Sequence, residues 1–221
     1  GLDPRAFEEM IRSNLRIQKF NELLTKDVSV PDEEIVAAYE KENNKIKISY
    51  LAFPADSFVD KAKVEDAEIK NYYEAHKNEF IIPAKEGSKD KAAETTGAFD
   101  DVKADIKTFI AGRKAIELAV KSAGGEYDRL MGIMTKENLT FEASAAKLGL
   151  KIVESGYFSK NESIEGVGEA GQVTDVAAKL KADEVSRAVE TGKGAIIFKI
   201  AGSQRYDEEK FRIEKDDYLK K

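Results

Sequence analysis

Apolar residues recur at Phe7, Met10, Ile11, Leu15, Ile17, Phe20 and Leu24, with Arg, Glu and Lys filling the gaps. That spacing returns to one side of a helix of about 3.6 residues per turn, so it predicts an amphipathic helix from Asp3 to about Leu24. Asp3 followed by Pro4 supplies suitable entry chemistry. The carboxylate can cap free N–H groups, and proline at the first helical position has no N–H to leave unpaired.

An internal repeat follows. Val30-Pro-Asp32-Glu-Glu34-Ile35, with Tyr39-Glu40 and Asn44, returns about 34 residues later as Val64-Glu-Asp66-Ala-Glu68-Ile69, with Tyr73-Glu74 and Asn78. Each copy predicts a short helix leading into an extended apolar segment, Ile46–Phe53 in the first and Phe80–Pro83 in the second. Ser29 stands three residues before Asp32, a capping-box spacing with Asp in place of Glu. The Ile46–Phe53 segment alternates and then turns continuously apolar, as expected of a strand with one face covered and a buried end.

From Ala84 to Ala98 there is no Leu, Ile, Val, Met or aromatic residue, so the stretch reads as a linker or loop. A long helix is predicted next, with Phe99, Val102, Ile106, Phe109, Ile110, Ile116 and Val120 on its apolar stripe and Gly124-Gly125 as its end. Glu126 to about Met134 predicts a further short helix, and Phe141–Leu148 another, closed by Gly149. Strands are expected at Lys151–Phe158, Glu184–Glu190 and Ala195–Ala201. The last two flank Thr191-Gly192-Lys193-Gly194, a glycine-containing hairpin connection. Tyr206–Leu219 reads as a strongly charged terminal helix.

Composition narrows the function classes. The 221 residues are 42% hydrophobic and 35% charged, enough apolar material for a core and too much for a wholly disordered chain. The net charge of −6, with Lys and Glu interspersed, argues against a nucleic-acid partner, which would need a basic face. No apolar run approaches the about 18 residues of a membrane span. The chain lacks cysteine, which removes thiolate catalysis and Cys-based zinc.

Few side chains invite chemistry. His76 is the single histidine and lies on the second repeat helix without a proton-relay partner, so it reads as a solvated helix residue. Gly166-Val-Gly168-Glu-Ala-Gly171 matches a dinucleotide fingerprint in letters but lacks a βαβ context, and loop glycines are the better reading. Asp100-Asp101 and Asp216-Asp217 are adjacent pairs that do not share a helix face. No metal ligands and no cofactor are expected.

Val64-x-Asp66-x-Glu68-Ile69-x-x-Tyr72-Tyr73-Glu74, then Asn78, Phe80 and Pro83, resembles the helix preceding the parvulin domain in PpiD- and SurA-like folding factors. Thr140-Phe141-Glu142 through Leu150 and Glu154-Ser-Gly156-Tyr157-Phe158-Ser159 resemble the middle of a parvulin domain. Leu180–Ser186, Val189–Thr191 and Gly194–Ile200 resemble its closing helix and hairpin. The resemblance implies an α+β fold in which a helical chaperone domain accompanies a discontinuous, degenerate parvulin-like βα sheet module. The chaperone-like part would be 1–45 and 54–139, with a linker at 84–98. The module would be 46–53 and 140–203, and 204–221 a C-terminal helix. Family members often carry a complete parvulin domain after the Phe-x-x-Pro segment; here the linker follows Pro83.

Carried over position by position, the resemblance also implies loss of catalysis. The family's first-strand histidine falls on Tyr50 and its final-strand histidine on Ile196. Its Asp or Cys falls on Glu154, its pocket Met near Ser163, and its two pocket Phe residues near Val173 and on Ala178. No residue of this chain is therefore expected to be catalytic. The implied role is an extracytoplasmic chaperone, periplasmic and concerned with outer-membrane biogenesis, that binds unfolded or nascent clients. Ile17, Phe20, Leu24, Phe109, Met131 and Met134 are its candidate client-binding residues, since flexible and aromatic side chains suit promiscuous surfaces. Inner-membrane anchoring by a segment outside this sequence, and homo-oligomerisation, are left open. The alternative is a peptidyl-prolyl cis-trans isomerase whose active parvulin domain lies elsewhere or has diverged here.

Overall fold

The structure, a computed structural model, describes residues 4–25, 30–82, 95–96 and 99–219. Its contacts divide the chain into two compact units, Gly1–Lys41 with Glu208–Lys221, and Glu42–Asp207. The first unit opens with α1 (Pro4–Thr25), at the predicted place, and α2 (Asp32–Asn43). Asp3 and Ser29, the two expected caps, lie outside the described residues. Asp32, Glu33 and Glu34 occupy the first turn of α2, where carboxylates complement the free N–H groups.

The second unit is built on a four-stranded antiparallel sheet. Its elements are β1 (Lys45–Pro54), α3 (Asp66–Ala75), β2 (Ile81–Ile82), β3 (Thr95–Thr96), α4 (Phe99–Glu137), α5 (Phe141–Lys147) and β4 (Ile152–Glu154). Then come β5 (Ser163–Ile164), β6 (Gly168–Glu169), α6 (Gly171–Ala177), β7 (Val189–Thr191) and β8 (Gly194–Gln204). The sheet order is β4-β1-β8-β7, so the two long strands β1 and β8 are central. Mixed helices and antiparallel sheet make this the expected α+β fold.

Alternation along β1 and β8 sorts side chains onto two cores. Ile48, Tyr50, Ile196 and Phe198 face one way, against Phe158, Ile164, Val167, Val173 and Ala177. Leu51, Ala195 and Ile197 face the other way, against Ala119, Ala123, Leu130, Phe141 and Ala145 of α4 and α5. Ile48 to Leu51 are consecutively buried, so the middle of β1 is covered on both faces rather than one. Gly194 begins β8 at φ 138°, and a Cβ there would lie 2.2 Å from the Phe53 carbonyl oxygen. The close crossing of β1 and β8 therefore requires glycine.

Four expectations are corrected. The helix predicted to stop at Gly124-Gly125 runs on without a break to Glu137, absorbing the separate helix expected at 126–134. Each glycine costs about 1 kcal/mol relative to alanine in a helix interior. Ala115, Ala119, Ala123 and Leu130 are all fully buried on either side, and that packing outweighs the cost. The strands expected at 151–158 and 184–190 shrink to β4 and β7, each leaving a single bridge: Phe158 to Ile46, and Val185 to Lys199. Serine hydroxyls interrupt both. Ser155 Oγ accepts from Ile48 N at 3.0 Å, and Ser186 Oγ from Phe198 N at 2.9 Å, each taking a place in the strand hydrogen bonding. Within the expected linker, Thr95 and Thr96 pair with Ile82 and Ile81; Pro83 and the rest of that stretch lie outside the described residues. Gly171 does open a helix, the seven-residue α6, while Gly166 and Gly168 adopt positive φ in the turn before it.

The repeat copies bury equivalent residues. In the second unit Ile69 and Tyr73 of α3 pack with Ile106, and a reciprocal capping box joins Glu65 and Glu68. In the first unit α7 (Glu208–Tyr218) supplies the partner for α2. Tyr39 sits 4.6 Å from the Phe211 ring and 5.2 Å from Tyr218, centroid to centroid, and donates its hydroxyl to Glu214. Lys215 pairs with Asp32 at 2.8 Å.

Candidate functional site

The positions that carry the resemblance converge on one face of the sheet. Tyr50 comes from β1, Ile196 from β8 and Val173 from α6, and all three belong to one buried cluster with Ile48, Phe198, Phe158, Ile164, Val167 and Ala177. Ile196 and Val173 are essentially inaccessible, and Tyr50 is 5% exposed. Pairing of Tyr50 with Phe198, and of Ala52 with Ile196, fixes this register. Hydrocarbon therefore fills this face of the sheet.

Tyr50 keeps one polar contact, donating its hydroxyl to the Glu165 carbonyl at 3.3 Å. Burial raises the phenol above its ordinary value near 10, and the Glu165 charge adds to this. It is accordingly a neutral donor at physiological pH and cannot serve as a base. Glu154, the one position that retains a carboxylate, lies at the outer edge on β4 and is held by the Lys47 ammonium. The Lys47 pKa is raised, first by that hydrogen bond and then by the Glu154 charge.

A cleft of about 380 Å³ opens beside this cluster, lined by Tyr50, Val153, Glu154, Ser155, Tyr157 and Ile164 among others. Ser163 is exposed at its rim. Tyr157 lies over Gly202, where a Cβ would come within 2.8 Å of its hydroxyl oxygen. Ala178 does not join the site: it is exposed at the end of α6, and Ala177 faces the cluster instead. Among the described residues no group of three or more His, Asp or Glu side chains could hold a metal ion.

His76 lies apart from this face, as expected, yet is not simply solvated. Its ring stacks on Tyr72 at 4.1 Å, and Nδ1 lies 2.9 Å from the Tyr72 carbonyl oxygen at the end of α3. The client-binding candidates lie on two different helices, α1 and α4. Ile17 and Phe20 are exposed on α1, while the Leu24 side chain lies outside the described residues. Phe109 is exposed on α4 with Tyr72 at 5.3 Å, whereas Met131 and Met134 are half-buried against Leu130, Phe141 and their neighbours. The 22 positions from Phe109 to Met131 correspond to about 33 Å along a helix, so these two do not share a patch. No helix of the described residues is long and apolar enough to cross a membrane.

Comparison with known proteins agrees with this geometry. The family described as the PPIC-type PPIase domain matches residues 64–212, about two-thirds of the chain. No curated protein and no solved structure matches. The matched range begins after β1, although β1 completes the sheet between β4 and β8.

Proposed function

The chain belongs to the PPIC-type peptidyl-prolyl isomerase domain family, and from that premise we propose that it is a PpiD/SurA-like chaperone that holds extended client polypeptides without isomerising them. The observation that carries this reading is the closed cluster of Tyr50, Ile196, Phe198 and Val173. Accelerating prolyl rotation means lowering a barrier of roughly 20 kcal/mol by holding the twisted amide in a shaped pocket. On this reading Tyr50 and Ile196 stand in place of both imidazoles, and Val173 and Ala178 in place of the aromatic wall. Apolar side chains exposed elsewhere, Ile17 and Phe20 on α1 and Phe109 on α4, are the proposed client contacts. Met131 and Met134, packed against the core, contribute less. The periplasm is the proposed compartment, consistent with the lack of cysteine to misoxidise.

Two assays test this reading together. In a proline-limited peptide assay the protein should leave the isomerisation rate at its spontaneous value. In an aggregation assay it should delay light scattering by an unfolding client at near-stoichiometric ratios. Clear acceleration of the first would restore the isomerase reading, and no effect in the second would remove the chaperone.

A further inference from the structure

We propose that the open edge of β7 takes an extended client segment bearing Lys or Arg as a further strand. β7 ends the sheet, bonded to β8 on one side. The Lys193 carbonyl accepts from Ala55 N at 2.9 Å, so the odd-numbered residues of β8 from 193 to 199 turn their backbone groups toward β1. The even-numbered ones turn toward β7, as Phe198 N does in donating to Ser186 Oγ. Val189 and Thr191, which pair with Ile196 and Gly194, therefore direct their N–H and C=O groups at β8. Glu190 lies between them and directs its own outward, where they meet no partner among the described residues. A donor and an acceptor together on a strand edge are both satisfied by one residue of extended backbone.

A cleft of about 740 Å³ lies at this edge, a volume typical of ligand sites. Glu190 and Thr191 of β7 line it, together with Ile116 of α4 and Gln172 of α6, helices that cover opposite faces of the sheet. Gly171 and Gly192 line it too, and neither has a positive φ. A Cβ would meet only the Lys160 carbonyl, at 4.0 Å, from Gly171 and nothing within 4 Å from Gly192. The fold therefore does not demand glycine at either position, and their bare backbones leave the cleft wide enough for another chain. Charge then selects the segment. Three carboxylates, Glu169, Asp175 and Glu190, line the cleft against one ammonium, Lys193. Lys160 takes Asp175 at 2.8 Å, whereas Glu169 and Glu190 make no ion pair among the described residues. Residues directly opposite across two strands share a face, so the client residue paired with Glu190 sets its side chain beside that carboxylate, where a cation is favoured.

The inference rests on the proposed binding of extended polypeptides and not on the absence of isomerisation. A short peptide of alternating Lys and Val, labelled and followed by fluorescence anisotropy, should bind the full chain saturably. The same peptide with Glu in place of Lys should bind at least about tenfold more weakly. Glu169→Lys combined with Glu190→Lys should reverse that preference. Gly171→Leu, which fills the cleft, should abolish binding of both peptides while the thermal transition stays in place. Strand alternation supplies a geometric test. N-methylation of the Lys residues removes the N–H groups that would meet Glu190 and should abolish binding. N-methylation of the Val residues, whose N–H groups point away, should leave affinity within about twofold. Equal binding of the two unmethylated peptides overturns the proposal, as does equal loss from both methylations. A dimer of this chain that Gly171→Leu abolishes assigns the cleft to a second copy and overturns it too. Delay of client aggregation by a chain that does not bind the peptide overturns this cleft alone. Peptide binding without delay of aggregation overturns the chaperone reading alone.

Discussion

The two faces of the central sheet are buried to the same degree by different means. One is covered by a regular element: α4 lays Ala119, Ala123 and Leu130 over Leu51 and Ile197, and α5 adds Phe141 and Ala145. The other is covered by the chain between Ser155 and Ala170 with the short helix α6, using Phe158, Ile164, Val167 and Val173. Ile48, Tyr50, Ile196 and Phe198 fill this face as core, with a cleft beside Glu154 and Tyr157. On the proposed reading, the residues that would have formed a proline pocket pack here as core.

The largest expected effect breaks both faces together. In Gly194→Ala the new Cβ would stand 2.2 Å from Phe53 O and 2.7 Å from Ala55 N, both backbone atoms that cannot turn aside, at a φ that strains any L side chain. The cost should exceed about 4 kcal/mol, a large share of a typical domain's stability. Thermal unfolding by circular dichroism should show the cooperative transition lost or displaced far downward; a shift of a few degrees would mean that β1 and β8 do not cross so closely.

Next come neighbours that point opposite ways. Phe198→Ala on the site face should cost about 3–5 kcal/mol and Ile197→Ala on the helix face about 2–5 kcal/mol by urea denaturation. Comparable losses mark the site face as true core. A loss below about 1 kcal/mol for Phe198→Ala alone would mean that this face is loosely packed, and with it the argument against catalysis would fall.

A smaller pair of substitutions compares the serines that replace strand hydrogen bonding. Ser155→Ala and Ser186→Ala remove the acceptors of Ile48 N and Phe198 N, on the two sides of the sheet axis. Each should cost about 1–3 kcal/mol, because a buried N–H would lose its partner. These serines also mark the limit of what the sequence disclosed. Alternation in Ile46–Phe53 revealed one central strand, and the Gly192-Lys193 turn revealed the hairpin that joins β7 to β8, because a period of two and a turn residue are local signals. The breaks at Ser155 and Ser186 depend on where another strand's N–H lies, which no local pattern records. The same holds for the tight crossing at Gly194, since nothing in the chain near that glycine announces the Phe53 carbonyl. At the candidate site, Tyr50, Ile196 and Val173 come from three separate elements into one buried cluster, which no local pattern discloses, whereas Ala178 stays exposed beside Ala177.

The smallest expected effect concerns the helix that covers the other face, and it has the opposite sign. Gly124-Gly125 resembles a helix stop, yet α4 passes through both with helical geometry. A Cβ at Gly125 would meet nothing within 4 Å, and the residue is exposed, so neither close approach nor a positive φ explains it. Gly125→Ala should therefore stabilise the protein by about 0.5–1 kcal/mol, by restricting the unfolded chain and improving helix propensity. Urea denaturation with an unchanged slope checks this. The gain should be confined to stability, since Gly125 lies on α4 and contributes nothing to the face that holds Tyr50 and Ile196. If Gly125→Ala instead destabilised the protein, the continuous helix would be the wrong description, and the glycine pair would be the hinge its sequence suggests.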